Sequence, residues 1–322
     1  MMKRNLKILG AVLGAIVGIM VCCVGYLSIY HVGQLKEEKE VLKDSYGEMI
    51  EVDGKKMCVK RVGEGNEVIV ISPGFGSISP VLEMKALVNG LKDQYTVVIV
   101  EPFGYGMSEE TNKPRTIENI TEELHTAVQE LGYKKYWLMG HSIAGIYDLY
   151  YANQYPDEVS GYVSIDGAVP KQNLEEEGPI LQYQLLSLMN KTGIYRFLAE
   201  HDEEGIVPSI KGGELTAEET KQYKALAYSK FMNDGIIDEF KQSKENFSKV
   251  ELLKFPATCP VLTFLSSENC EATPNWQELH DELVTMKTQG QDVILEGSHY
   301  LQYEYGQEIA KQFNEWRQKN SL

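Results

Sequence analysis

Along the chain, short unbroken apolar runs alternate with longer stretches whose apolar residues recur every three or four positions. Val68–Ile71 and Val97–Val100 are β-branched runs with no polar interruption, the pattern of strands covered on both faces. Leu82–Leu91 between them reads as a helix. Met49–Val52 and Met57–Val62 flank Asp53-Gly54, a two-residue turn signal that predicts a hairpin. Ile117, Ile120, Leu124, Ala127, Val128 and Leu131 fall on one face of a helix that Thr116 can cap and Gly132 can end. Tyr136–Met139, Tyr162–Ile165, Pro260–Leu265 and Val293–Leu295 are further strand-like runs. The alternation predicts an α/β domain: a mostly parallel sheet of six or seven strands after the hairpin, with helices on both faces.

Two stretches depart from this rhythm. Ile8–Tyr30 holds 23 residues without a charge, enough to cross a bilayer as a helix. Lys3, Arg4 and Lys7 precede it and no acidic residue appears before Glu37, which favours a cytoplasmic N-terminus and an extracytoplasmic remainder. A cleaved signal peptide is the competing reading, but the run is long for one and ends in Tyr26 to Tyr30, with aromatics where interface anchors lie. Residues 1–35 are therefore read as a single-pass membrane anchor, 36–46 as a stalk and 47–322 as the α/β domain. Gly10, Gly14 and Gly18 recur every four residues and raise a weak expectation of homodimerisation in the bilayer. The second departure, residues 170–255, is rich in helix formers and lacks a convincing strand. It reads as a helical cap over the C-terminal edge of the sheet, where open α/β sheets bind ligands.

Beyond the anchor the chain carries 28 basic and 47 acidic residues, a net charge of −19. Such a surface repels phosphate backbones, so no nucleic-acid partner is expected. Cys58, Cys259 and Cys270 are odd in number and scattered, fitting neither a disulfide framework nor a zinc site. They read as packing residues. No phosphate loop or metal-ligand spacing accompanies the core, and no cofactor or metal is expected.

The strongest chemical signal is Tyr136-Trp137-Leu138-Met139-Gly140-His141-Ser142-Ile143-Ala144-Gly145. An apolar strand enters a turn that sets a serine among small residues before a helix, the arrangement of a nucleophile elbow. Around it, Ser72-Pro73-Gly74-Phe75-Gly76 resembles a His-Gly-x-Gly turn. Glu101-Pro102-Phe103-Gly104-Tyr105-Gly106-Met107-Ser108 resembles an Asp-x-x-Gly-x-Gly-x-Ser segment, and Tyr155-Pro156-Asp157-Glu158-Val159 resembles the end of a nucleophile helix. On these segments, in this order, the chain from about Glu48 to Trp316 resembles the α/β-hydrolase superfamily, in its single-domain branch with a cap. Ala144 stands at the second small position, and Pro73 stands where that family usually has histidine.

The resemblance implies a serine hydrolase acting on a small-molecule ester, amide or thioester. Ser142 would be its nucleophile, and the backbone N–H groups of Phe75 and Ile143 would stabilise the oxyanion. His201, His280 and His299 follow the elbow. His201 and His280 read as surface residues, whereas His299 lies between a strand and the last helix, where the family's base is found. Counted from strand Pro260–Leu265, the family's acid falls on Asn269, which cannot stabilise an imidazolium as a carboxylate does. Glu268 is the preferred third member, with Glu271 and Asp166 as alternatives. Asn269 and Pro73 also motivate a rival reading, a non-catalytic ligand-binding or signalling protein on the same scaffold. Ser142 argues against relatives that resemble this fold but carry aspartate at the elbow, the dehalogenases and epoxide hydrolases.

Overall fold

The computed structural model describes residues 2–172, 179–201, 205–285 and 290–322, so small parts of the cap lie outside the described residues. Among the described residues eight strands, numbered in chain order, form one sheet in the order β1-β2-β4-β3-β5-β6-β7-β8. β1 (Glu48–Val52) and β2 (Lys55–Val62) make the hairpin, with Asp53 at φ 53° and Gly54 at φ 73°. Positive φ at both central positions matches the right-handed twist of the strands, which is why Asp-Gly suits this turn. β2 runs antiparallel to β4 (Tyr95–Val100). β3 (Glu67–Ser72), β4, β5 (Tyr136–His141), β6 (Val159–Ile165), β7 (Val261–Ser266) and β8 (Gly290–Leu295) are mutually parallel.

The apolar runs divide between the two faces as the pleat requires. Val68, Val70, Leu138 and Val100 pack on one side with α4 (Ile117–Glu130) and α5 (Ala144–Gln154). Ile69, Ile71, Met139 and Phe264 pack on the other with α3 (Lys85–Leu91) and α12 (Leu301–Asn320). The helix expected over Leu82–Leu91 is divided at Met84 into α2 (Pro80–Glu83) and α3.

Between β6 and β7 the described residues form α6 (Ile180–Lys191), α7 (Ile194–His201), α8 (Ala217–Lys230) and α9 (Asp234–Val250), the helical cap. Thr216 closes a capping box on α8, and Asn233 caps α9 through the Ile236 N–H. Two short helices, α10 (Ser267–Ala272) and α11 (Trp276–Asp281), follow β7.

The apolar run Ile8–Tyr30 lies within a single 40-residue helix, α1 (Met2–Val41). At 1.5 Å per residue it is about 60 Å long, twice the thickness of a bilayer's hydrocarbon core. Its apolar part is exposed as far as Cys23, meets the rest of the protein only towards its end, and is long and apolar enough to cross a membrane. A Cβ added at Gly10, Gly14 or Gly18 would meet nothing within 4 Å among the described residues. The stalk expected after it is helical as far as Val41, and it docks on the cap. The buried guanidinium of Arg196 makes two hydrogen bonds to Glu38, at 2.6 and 2.7 Å, and its Nε donates to His31 Nδ1 at 3.0 Å. The same guanidinium stacks 4.0 Å above the Tyr228 ring. Burial and the adjacent Arg196 hold His31 below the usual histidine range, which keeps Nδ1 available as an acceptor.

Removing one partner of a buried pair leaves the other charge without compensation. Arg196→Ala is expected to cost about 3 kcal/mol, read as a lowered denaturant midpoint of the full chain in detergent.

Candidate active site

β5 is buried along its whole length and leads into Ser142, whose φ of 55° places it in the left-handed region. The turn is held from both sides: the Ser142 N–H donates to Ile165 O at 3.3 Å, and Ser142 O accepts from Ala168 N–H at 2.7 Å. Small residues are needed where the chains cross so closely. A Cβ on Gly145 would lie 2.3 Å from Ala168 O, and one on Gly140 2.3 Å from Asp148 Oδ2. β6 leads into a second left-handed residue, Asp166 at φ 46°, directly beside the first turn. Such residues cost of order 1–3 kcal/mol each and persist where surrounding bonds over-determine them.

His299 lies between β8 and α12 and reaches both turns. Its Nε2 is 2.8 Å from Ser142 Oγ, and its Nδ1 is 2.7 Å from Asp166 Oδ2. With Nδ1–H donating to the carboxylate, Nε2 is the acceptor for the serine hydroxyl. The histidine backbone is pinned as well: His299 N–H donates to Glu268 Oε2 at 3.1 Å, and His141 Nε2 donates to His299 O at 3.0 Å.

The carboxylate at the imidazole is thus Asp166, and the expectation for Glu268 is corrected. Glu268 sits in the first turn of α10, where its side chain meets the His299 main chain instead of the ring. Glu271 is exposed on the same helix. Asn269 occupies the position counted for an acid and donates Nδ2 to Asp166 Oδ2 at 2.7 Å. Ser266 donates Oγ to the same oxygen at 2.7 Å, while Ser266 N and Trp276 Nε1 reach Oδ1 at 3.1 Å. His201 is exposed as expected, but His280 is buried, because α11 turns it inward to place Nε2 2.9 Å from Gly167 O.

Residues 67–194 match a family model described as the alpha/beta hydrolase fold. Protein YbdG of Bacillus subtilis is 33% identical over 267 residues, covering 81% of each chain. The chain belongs to the α/β-hydrolase family. A putative carbamate hydrolase, RutD of Cronobacter turicensis, is 32% identical over 104 residues, 32% of this chain and 38% of that one. Among solved structures, an epoxide hydrolase from Vigna radiata superposes with a TM-score of 0.63 at 18% identity, covering 84% of this chain and 97% of that one. A haloalkane dehalogenase variant from Bradyrhizobium elkanii gives 0.62 at 15% identity, covering 85% and 96%. At these identities the two solved structures establish the fold alone.

In this α/β-hydrolase, burial pushes the Asp166 carboxyl upward. The hydrogen bonds from His299 and Ser266 outweigh that and hold it below the usual aspartate range. Asp166 is therefore ionised throughout the neutral range. Ser142, Asp166, Asn269, Trp276 and His299 open on a cleft of about 720 Å3. Two arms leave the serine. One runs beside Gly74, Phe75, Glu83, Tyr223 and Tyr303; the other runs under the cap, between Phe75, Ile143, Tyr183, Glu239 and Phe240. Phe75 and Ile143, the two residues expected to stabilise an oxyanion, both border Ser142. Neither main-chain N–H donates to another described residue.

Sequence reasoning passed over Ser266, Trp276 and His141 as parts of this site. His141 has the clearest signal, since it precedes the serine directly. Burial, then the neighbouring His299 ring, lowers its pKa to about 3. An unfolded chain takes up a proton near pH 6.5 that folded His141 refuses, so the folded state loses stability as pH falls from about 6.5 towards 3. Each pH unit in that window removes up to ~1.4 kcal/mol. His141→Gln is expected to flatten that dependence, measured as unfolding free energy between pH 6 and pH 4.

Proposed function

We propose that the chain is a membrane-anchored serine hydrolase that cleaves a carboxylic ester, or an amide or thioester, through an acyl-enzyme. The observation that carries the reading is the unbroken contact Ser142 Oγ to His299 to Asp166. A serine hydroxyl is a weak nucleophile until a base removes its proton. Ser142 Oγ attacks the carbonyl carbon while His299 Nε2 takes the proton, and ionised Asp166 stabilises the imidazolium that forms. The carbonyl oxygen, now negative, accepts from the Phe75 and Ile143 N–H groups. His299 then protonates the leaving oxygen or nitrogen as the C–O or C–N bond breaks. A water deprotonated by the same imidazole releases the acid and restores Ser142.

The choice of a carbonyl substrate follows from the nucleophile. A serine that opened an epoxide or displaced a halide would form an ether, which offers water no carbonyl to attack. Acyl transfer leaves an ester, which water can hydrolyse. A carbamate, the substrate class in the name of the Cronobacter relative, presents the same kind of carbonyl. The non-catalytic alternative loses its main motive, because Asp166 supplies the carboxylate that Asn269 lacks. For the anchor, the apolar span with Lys3, Arg4 and Lys7 before it supports a cytoplasmic N-terminus with the catalytic domain outside.

A fluorophosphonate probe is expected to label the full chain and to fail on Ser142→Ala; labelling that survives this change refutes the assignment. Asp166→Asn should lower kcat on a chromogenic ester by about 10⁴-fold, while Glu268→Gln should stay within a few-fold of the unmodified chain. The reverse order would return the acid's role to Glu268.

A further inference from the structure

The cap carries an apolar face that the hydrolase reading does not use. α6 has no charged side chain from Ile180 to Asn190. Its two sides divide by helical spacing. Ser187 and Asn190 are buried, and Tyr183 packs between Phe75, at 6.1 Å, and Phe240, at 4.0 Å, beside Ser142. Leu181, Leu185 and Leu188, spaced four and three residues apart, face away from the protein with 70%, 55% and 56% of their surface exposed. Phe197 and Leu198 of α7 are also exposed. Scattered exposed leucines need no explanation, but a stripe of this kind beside further exposed apolar side chains marks a contact surface.

What covers this surface follows from where the cap meets α1. The turn between α6 and α7 touches α1 at the end of its apolar span. Ser28 Oγ is 3.1 Å from Thr192 O, and a Cβ on Gly193 would lie 2.7 Å from both Leu27 O and His31 Cβ. The Arg196 bonds to His31 and Glu38 fix the first turn of α7 just beyond that point. A span of Ile8–Tyr30 puts Tyr26 to Tyr30 at the membrane–water boundary, where aromatic side chains settle. The α6–α7 turn is therefore held at the same depth as that boundary.

We propose that Leu181, Leu185, Leu188, Phe197 and Leu198 insert into the leaflet on the domain's side, so that the hydrolase takes amphiphilic acyl esters directly from the membrane. α6 then separates lipid on its leucine side from the reaction cleft on its Tyr183 side, and a substrate has only to pass around one helix. The contact is apolar, and the acidic surface gives anionic headgroups no attraction, so the association does not depend on salt. The substrate class rests on the hydrolase reading; the bilayer contact does not.

The test uses the full chain in phosphatidylcholine vesicles, with Cys22, Cys23 and Cys270 changed to serine and one fluorophore placed through Leu185→Cys, Leu188→Cys or Leu252→Cys. Leu252 is an exposed leucine outside the stripe. Lipids bearing a nitroxide near the top of the acyl chain should quench labels at 185 and 188 several-fold more than at 252, unchanged in high salt. Equal quenching at the three sites overturns the proposal, including the case where a second copy of the chain covers the stripe. The double change Leu185→Glu, Leu188→Glu should lower hydrolysis of a vesicle-embedded long-chain ester about tenfold relative to a soluble short-chain ester, with fluorophosphonate labelling of Ser142 retained. An unchanged ratio overturns the substrate route. Loss of labelling in the unmodified chain counts against the hydrolase reading alone, and quenching still decides the bilayer contact.

Discussion

Two left-handed residues at the ends of neighbouring parallel strands, Ser142 and Asp166, are tied into one unit, and the rest of the site depends on it. Main-chain bonds from Ser142 N–H to Ile165 O and from Ala168 N–H to Ser142 O join the turns. Gly145 lets them approach to a distance that any side chain would prevent. The spacing between hydroxyl and carboxylate is set by the sheet, and the imidazole has only to be delivered between them. A carboxylate on the more distant α10 would lack this coupling, since its position would vary with a short helix of its own.

Burying Asp166 is costly unless its lone pairs are filled. Four donors besides His299 do so: Ser266 N–H, Ser266 Oγ, Asn269 Nδ2 and Trp276 Nε1. All come from β7 and the two short helices after it. The segment that in related folds was expected to carry the acid carries its hydrogen-bond donors here. Asn269 fits this role because an amide can donate without adding a second negative charge 2.7 Å from the first. His299 is also fixed through its main chain, by Glu268 from one side and His141 from the other. Both bonds are made to main-chain atoms of His299, so they fix where the imidazole sits.

How much of this was legible follows from the range of the interactions. Elements set by local pattern were readable: the Asp-Gly hairpin, the β-branched strands, the capped α4 and the serine turn all sit where their residues place them. The break at Met84 was not, because no glycine or proline marks it. Which carboxylate meets the imidazole was not legible for a different reason. Counting along a loop assumes that the loop supplies the side chain, whereas the choice between Glu268 and Asp166 is made by the spacing of strands far apart in sequence. One local sign did exist: Asp-Gly directly after a buried apolar strand is a turn that favours positive φ. The inward face of His280 had no such sign, since a helix's burial depends on what packs against it.

The long N-terminal helix adds a constraint of its own. Had α1 ended with its apolar run and led into a flexible stalk, the domain would be free to tumble and its cap could face any direction relative to that run. Instead the helix continues past the apolar span and docks by a buried guanidinium bonded to both His31 and Glu38. A buried ion pair is weak evidence for stability, because desolvation offsets most of its attraction. What it supplies is direction, since the two bonds to Glu38 and the one to His31 can all form only in one register of α7 against α1. Alternative apolar contacts between two helices would slide at little cost. The polar bonds therefore account for why the cap, rather than some other face of the domain, is the part held next to the end of the apolar run.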